Sequence, residues 1–135
     1  MSVTRRLRRA IIVGIDDTLL EGVDEKPVAP VLEVIRSWRS YSYGHVLFVT
    51  AREESCYVKT AKWLDCIGLP PWDSVGCRLL MRPTGDTRPD DIVKYEIYER
   101  EIAEKYNVRF AIEDQKWVVK MWRDLGIYVF DVGKE

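Results

Sequence analysis

Residues 10–15 read AIIVGI, a continuous apolar and mostly β-branched run that stops at Asp16 and Asp17. A strand with one wet face alternates polar and apolar residues, so an unbroken run of this length predicts a strand buried on both faces. A second run, VLFVT at residues 46–50, has the same character. Between the two, Val31, Val34, Ile35 and Trp38 recur at helical spacing, with Pro27 and Pro30 fixing the entry turn. Residues 53–66 return to helix-forming composition, and Gly68 with Pro70 and Pro71 ends that segment. Residues 79–81 form a weaker third strand before the turn-rich stretch 83–89. A long amphipathic helix is predicted over 90–106, with Ile92, Tyr95, Tyr98 and Ile102 on its apolar side. Residues 108–112 supply a fourth strand. Val118, Met121, Trp122 and Leu125 make the inner face of a last helix, Gly126 caps it, and residues 127–132 close the chain as a fifth strand. Strands alternating with helices predict a three-layer, doubly wound α/β domain of Rossmann-like type around a mainly parallel five-stranded sheet.

At 135 residues the chain has the length of one domain, with residues 1–9 as a basic arm and 10–135 as the folded unit. Lys plus Arg number 21 against 22 Asp plus Glu, so the molecule does not coat nucleic acid by bulk charge, and any such contact is a local patch. Arg5, Arg6, Arg8 and Arg9 form one basic block. The apolar run behind it is too short for a signal sequence or a membrane span, which predicts a cytoplasmic protein without a membrane partner. Cys56, Cys66 and Cys77 have no C-x-x-C spacing, so reduced, buried thiols are expected rather than a disulfide framework or a zinc site.

In a parallel sheet, ligands bind beyond the carboxyl ends of the strands. Strand one ends in Asp16, Asp17 and Thr18, strand two in Thr50 with Arg52 close by, and strand four in Glu113 and Asp114, while the long helix adds Lys94. Carboxylates, a hydroxyl, a guanidinium and an ammonium on one edge are the parts that hold a divalent cation and a phosphate together. Each residue alone also has an ordinary structural reading: the acidic pair as a turn, Arg52 and Lys94 as surface ion-pair partners. His45 is expected to be a structural hydrogen-bonder, and Trp117 and Trp122 to be packing residues.

Taken together, AIIVGIDDTLL, FVTAREES, GDTRPDDIVKYEI, FAIEDQ and VVKMWRDLGI resemble the haloacid dehalogenase-like (HAD-like) phosphohydrolases. Within them they are closest to the 3'-phosphatase module of phage polynucleotide kinases. The resemblance implies a magnesium-dependent site. Thr50 would hold a phosphate oxygen, Lys94 would neutralise the phosphate, Asp90 would position Lys94, and Asp16 would be the general acid and base. Thr18, Arg52 and Arg88 would contact substrate, and Asp16, Glu113 and Asp114 would serve the metal. It also implies a 3'-phosphorylated nucleic-acid end or a nucleotide as substrate, with a separate kinase or ligase as the kind of partner. The oligomeric state stays open, a homo-oligomer included. The short segment 19–27 implies a small cap or none.

The chain departs from this pattern at one decisive point. The family reads D-x-D-G-T where this chain reads Gly14-Ile15-Asp16-Asp17-Thr18, so the nucleophile position is glycine. An aspartyl-phosphate cannot form on a residue without a side chain. Asp17 replaces the glycine of the turn, and Gln115 stands where the family has arginine after the acidic pair. No G-x-x-x-x-G-K-[ST] phosphate loop occurs. Two functions follow: a weakened phosphatase, restorable by Gly14→Asp, or a silent module that binds a phosphate end or serves assembly. A signalling receiver domain is the rival from another class, but it needs a lone aspartate ending strand three, which is missing.

Overall fold

The computed structural model describes residues 7–134. Five strands, β1 (Arg8–Val13), β4 (His45–Glu53), β5 (Cys77–Arg82), β6 (Tyr106–Glu113) and β7 (Val129–Asp131), form one sheet in the order β5-β4-β1-β6-β7. Every pairing in it is parallel. A two-stranded antiparallel ribbon, β2 (Leu20–Glu21) with β3 (Lys26–Pro27), is all that stands between β1 and the first helix, in line with a minimal cap. Arg8 and Arg9 open β1 rather than extending the arm; Arg5 and Arg6 lie outside the described residues.

The continuous apolar runs are explained by two cores, one on each face of the sheet. Ala10 and Ile12 point to one side with Val93, Ile97, Val118, Val119 and Trp122. Ile11 and Val13 point to the other with Val31, Leu32, Ile35, Trp38 and Leu64. Helices α1 (Ala29–Ser42) and α2 (Tyr57–Cys66) therefore cover one face, and α3 (Asp90–Ile97) and α4 (Lys116–Asp124) the other. The chain winds outward from β1 through β4 to β5, then crosses back to β6 and β7, so the direction reverses between β1 and β6. That switch point opens a crevice at the carboxyl edge.

Several expectations need correction. The segment 90–106 is not one α-helix: α3 ends at Ile97, a π-helical turn spans Tyr98–Ile102, and β6 begins at Tyr106. Its buried residues before β6 are Val93, Lys94, Ile97 and Ile102, whereas Ile92 and Tyr95 are exposed. The wider turn spaces Ile97 and Ile102 by five residues and still brings both to the core. β4 runs on to Glu53, with a register break between Thr50 and Glu53, where helix was expected. Cys56 and Cys66 are exposed and only Cys77 is buried, while Trp117 is exposed and Trp122 is fully buried. His45 contributes through its backbone, whose carbonyl accepts a hydrogen bond from Trp38 Nε1, and its own Nδ1 is buried without a partner. No helix among the described residues is long and apolar enough to cross a membrane.

Candidate active site

Gly14 follows β1 at the switch point, and its N–H donates to the Ile112 carbonyl, which sets it beside Glu113 at the end of β6. A Cβ on Gly14 would lie 3.1 Å from Thr18 Oγ1 and 3.2 and 3.3 Å from the two Glu113 oxygens. The space that a side chain at position 14 would enter is thus rimmed by a hydroxyl and a carboxylate. The Ile15 carbonyl accepts from the N–H groups of Thr18, Leu19 and Leu20, folding residues 15–20 into a tight turn. Within it Asp17 adopts φ 58°, a left-handed conformation natural to the glycine it replaces.

Glu113 is buried, and both of its oxygens are engaged. Oε1 accepts from Lys94 Nζ at 2.8 Å, while Oε2 accepts from the N–H groups of Asp114 at 3.0 Å and Gln115 at 3.3 Å. Lys94, also buried, reaches it from α3. Thr18 Oγ1 donates to Asp114 Oδ1 at 2.8 Å. Burial pushes the Asp114 carboxyl up from its ordinary pKa, and the Thr18 hydrogen bond partly offsets this. The break in β4 turns Arg52 toward β1. Arg52 Nε and Nη2 donate to Asp16 at 2.9 and 2.8 Å, and Nη1 donates to Thr60 at 3.2 Å. The Asp16 hydrogen bonds hold the guanidinium proton more tightly than usual. Thr50 is buried, and its hydroxyl accepts from the Arg52 N–H.

Gly14, Asp16, Thr18, Thr50, Arg52, Lys94, Glu113 and Asp114 all lie at the carboxyl edge, as the strand-end rule requires. Two residues behave otherwise. Asp90 does not contact Lys94; it accepts from Arg82 Nη2 and, at 2.8 Å, from Gln115 Nε2. Arg88 is turned to Asp86 and Glu96, which it clamps with both ends of its guanidinium. Those hydrogen bonds hold the Asp86 carboxyl down to about 2. The arginine that serves the loop after β5 is Arg82, nearly buried, which donates to the carbonyls of Ala51, Asp86 and Arg88. Arg82 ends β5, so the strand-end rule could have found it. Thr60 and Glu25, the other neighbours of Arg52, carry no sequence signal.

The donor set suits a resident magnesium ion poorly. Position 14 offers no carboxylate, Asp16 is spent on Arg52 and Glu113 on Lys94, which leaves Asp114 and the exposed Asp17 as the acids of the switch point without an ion pair among the described residues. Among the described residues no group of three or more metal-ligating side chains is assembled. A neighbouring cleft of about 530 Å³ is lined by Asp17, Glu21, Asp24 and Asp114 against Lys26 and Lys134, so its acids outnumber its cations.

The parallel sheet, the D-x-T turn after β1, Thr50, Lys94 and the acidic pair after β6 define a HAD-like phosphatase-type domain. The model of the family described as "Polynucleotide kinase PNKP phosphatase domain" matches residues 8–135, and the chain belongs to that family. A protein of Autographa californica nuclear polyhedrosis virus, named as a bifunctional polynucleotide kinase/RNA ligase, is 33% identical over 91 residues, which is 67% of this chain and 12% of that protein. In a structure of a Pnkp1/Rnl/Hen1 complex, a chain superposes with a TM-score of 0.81 at 30% identity over 96% of this chain and 48% of its own length. A second, of the Pnkp1/Rnl/Hen1 RNA repair complex, gives 0.81 and 30% over 94% and 43%. The chain thus spans less than half of these relatives.

Proposed function

We propose that this domain serves a polynucleotide end-healing assembly as a non-hydrolytic member, holding a 3'-phosphorylated end while kinase and ligase activities reside in other domains or chains. The observation that carries this reading is the buried Lys94–Glu113 pair beside Gly14. Where the family's chemistry places an attacking carboxylate, this chain has a glycine, and the neighbouring ammonium is already neutralised by a carboxylate that two backbone N–H groups fix in place. The assignment of partners rests on the kinase/ligase and RNA-repair relatives.

Arg52 is the group in this reading that takes the phosphate. Its partner Asp16 has a half-exposed side chain, so the carboxylate can turn out to water while a phosphate takes its place on the guanidinium. A phosphate dianion accepts from the same planar fork. Magnesium in this reading is held weakly, by the Asp114 carboxylate and the Asp16 carbonyl, and phosphate binding does not depend on it. Fluorescence anisotropy with matched oligonucleotides ending in 3'-phosphate or 3'-hydroxyl tests this. The expected preference is several-fold for the phosphate, about 1 kcal/mol, retained in chelator and removed by Arg52→Met. Equal affinity for the two ends would end the case for end recognition.

A further inference from the structure

At the carboxyl edge Arg52, Arg82 and Lys94 are each neutralised by a carboxylate, yet three arginines at the opposite edge are not. Among the described residues Arg8, Arg9 and Arg39 have no carboxylate at ion-pair distance. Arg8 and Arg39 line a cleft of about 700 Å³ with Tyr43, His45, Asp73 and Ser74. It sits where β1 and β4 begin and where the turn enters β5, at the far end of the sheet from Gly14.

The turn that carries the aromatic wall of this cleft is packed against Trp38. Tyr43 is 89% exposed and adopts φ 50°, a left-handed conformation that a bulky residue seldom takes. The next residue is a glycine whose Cβ would fall 2.1 Å from the Trp38 ring, so Trp38 closes directly over Gly44. Trp38 Nε1 fastens the far side of the turn through the His45 carbonyl at 2.9 Å, and Arg9 lies over the other part of the stack, its Cζ 5.2 Å from the Trp38 ring centre. Arg39 is fixed as well, donating from Nη2 to the Val75 carbonyl at 2.8 Å. An exposed tyrosine ring on a left-handed turn, lining one cleft with two guanidinium groups that have no ion-pair partner among the described residues, is a stacking platform beside phosphate contacts, the combination that binds single-stranded nucleic acid without sequence preference.

We infer that this amino-edge cleft is a second nucleic-acid site, in which Arg8 and Arg39 hold backbone phosphates of a single-stranded segment and a base stacks on Tyr43. The choice of ligand rests on the end-healing reading, but the site needs no terminal phosphate, and this separates the two experimentally. The N-terminal block continues the same charge in sequence through Arg5 and Arg6.

The probe is a short oligouridylate with hydroxyls at both ends and an internal fluorophore, titrated by anisotropy at several salt concentrations. Tyr43→Gly relieves the left-handed backbone, so it folds at least as well, and it is expected to lose about tenfold in affinity with the salt slope unchanged. Arg8→Glu/Arg39→Glu is expected to lose more than about tenfold and to flatten the salt slope by roughly one unit or more, two phosphate contacts being removed at about 0.7 each. Lys62→Glu/Lys120→Glu carries the same charge change on exposed positions of α2 and α4 and is expected to stay within about threefold of the unmodified protein. The inference is overturned by an unmodified protein that does not bind the probe at low salt, by a control pair that weakens binding as much as the arginine pair, or by Tyr43→Gly with unchanged affinity. Loss of the 3'-phosphate preference under Arg52→Met with full binding of the hydroxyl-ended probe separates the two sites.

Discussion

Gly14→Asp combined with Asp17→Gly and Glu113→Asp is expected to release phosphate from a 3'-phosphorylated oligonucleotide in magnesium at a rate about 10³-fold or more above the unmodified chain. Groups that act as one unit fail together, so restoring the missing nucleophile returns most of the lost rate at once. The backbone at position 14 accepts any residue, but its surroundings do not. A Cβ there meets Glu113 oxygens at 3.2 and 3.3 Å, and those oxygens are fixed by Lys94 and two N–H groups. Gly14→Asp alone therefore sets two carboxylates against each other in a packed site, and is expected to cost about 1–3 kcal/mol of stability while gaining little activity. Shortening Glu113 by one methylene draws its carboxylate back toward its own backbone at the end of β6, and Lys94 can then face both acids. Asp17→Gly removes the left-handed strain from the turn that carries the new side chain. Phosphate release with each variant, and unfolding curves for the same proteins, check both parts. A folded triple variant that stays inert would show that the site has lost more than a nucleophile.

The second large effect concerns the pair that fills this site. Lys94→Met and Glu113→Leu are each expected to destabilise the protein by about 3–5 kcal/mol, because each strands an uncompensated charge with side-chain exposure of 5% or 2%. The double variant Lys94→Met/Glu113→Leu is expected to be more stable than either single one, with a coupling of at least about 2 kcal/mol in denaturant unfolding. It still forfeits the acceptor for the Asp114 and Gln115 N–H groups, so it does not return to the starting stability. Additive losses in the cycle would mean that the two groups do not depend on each other.

The architecture was legible in the sequence because a strand buried on both faces has to be apolar at every position, and residues 10–13 and 46–49 are. The gathering of Asp16, Thr50, Lys94 and Asp114 at one edge follows from the same pattern, since parallel strands all deliver their carboxyl ends to one side. What stayed hidden depends on departures from regular spacing. The π-helical turn at Tyr98–Ile102 inserts an extra residue into the helical repeat, so Ile92 and Tyr95 look inward on a helical wheel but lie outside. Partner choice was hidden for another reason: Asp90 can face Lys94 or Arg82, and only the path of the loop after β5 sends it to Arg82. The Tyr43–Gly44 turn was equally invisible, because the close approach of the Trp38 ring to Gly44 is a tertiary fact.

The most direct test is phosphate release by the unmodified protein from a 3'-phosphorylated oligonucleotide in magnesium, followed through many enzyme equivalents of substrate. With glycine at position 14 and Lys94 paired to Glu113, release indistinguishable from the protein-free control is expected. Multiple turnover that depends on magnesium and disappears in Asp16→Asn would contradict the account, since it would require a nucleophile or an attacking water that the site as described does not supply.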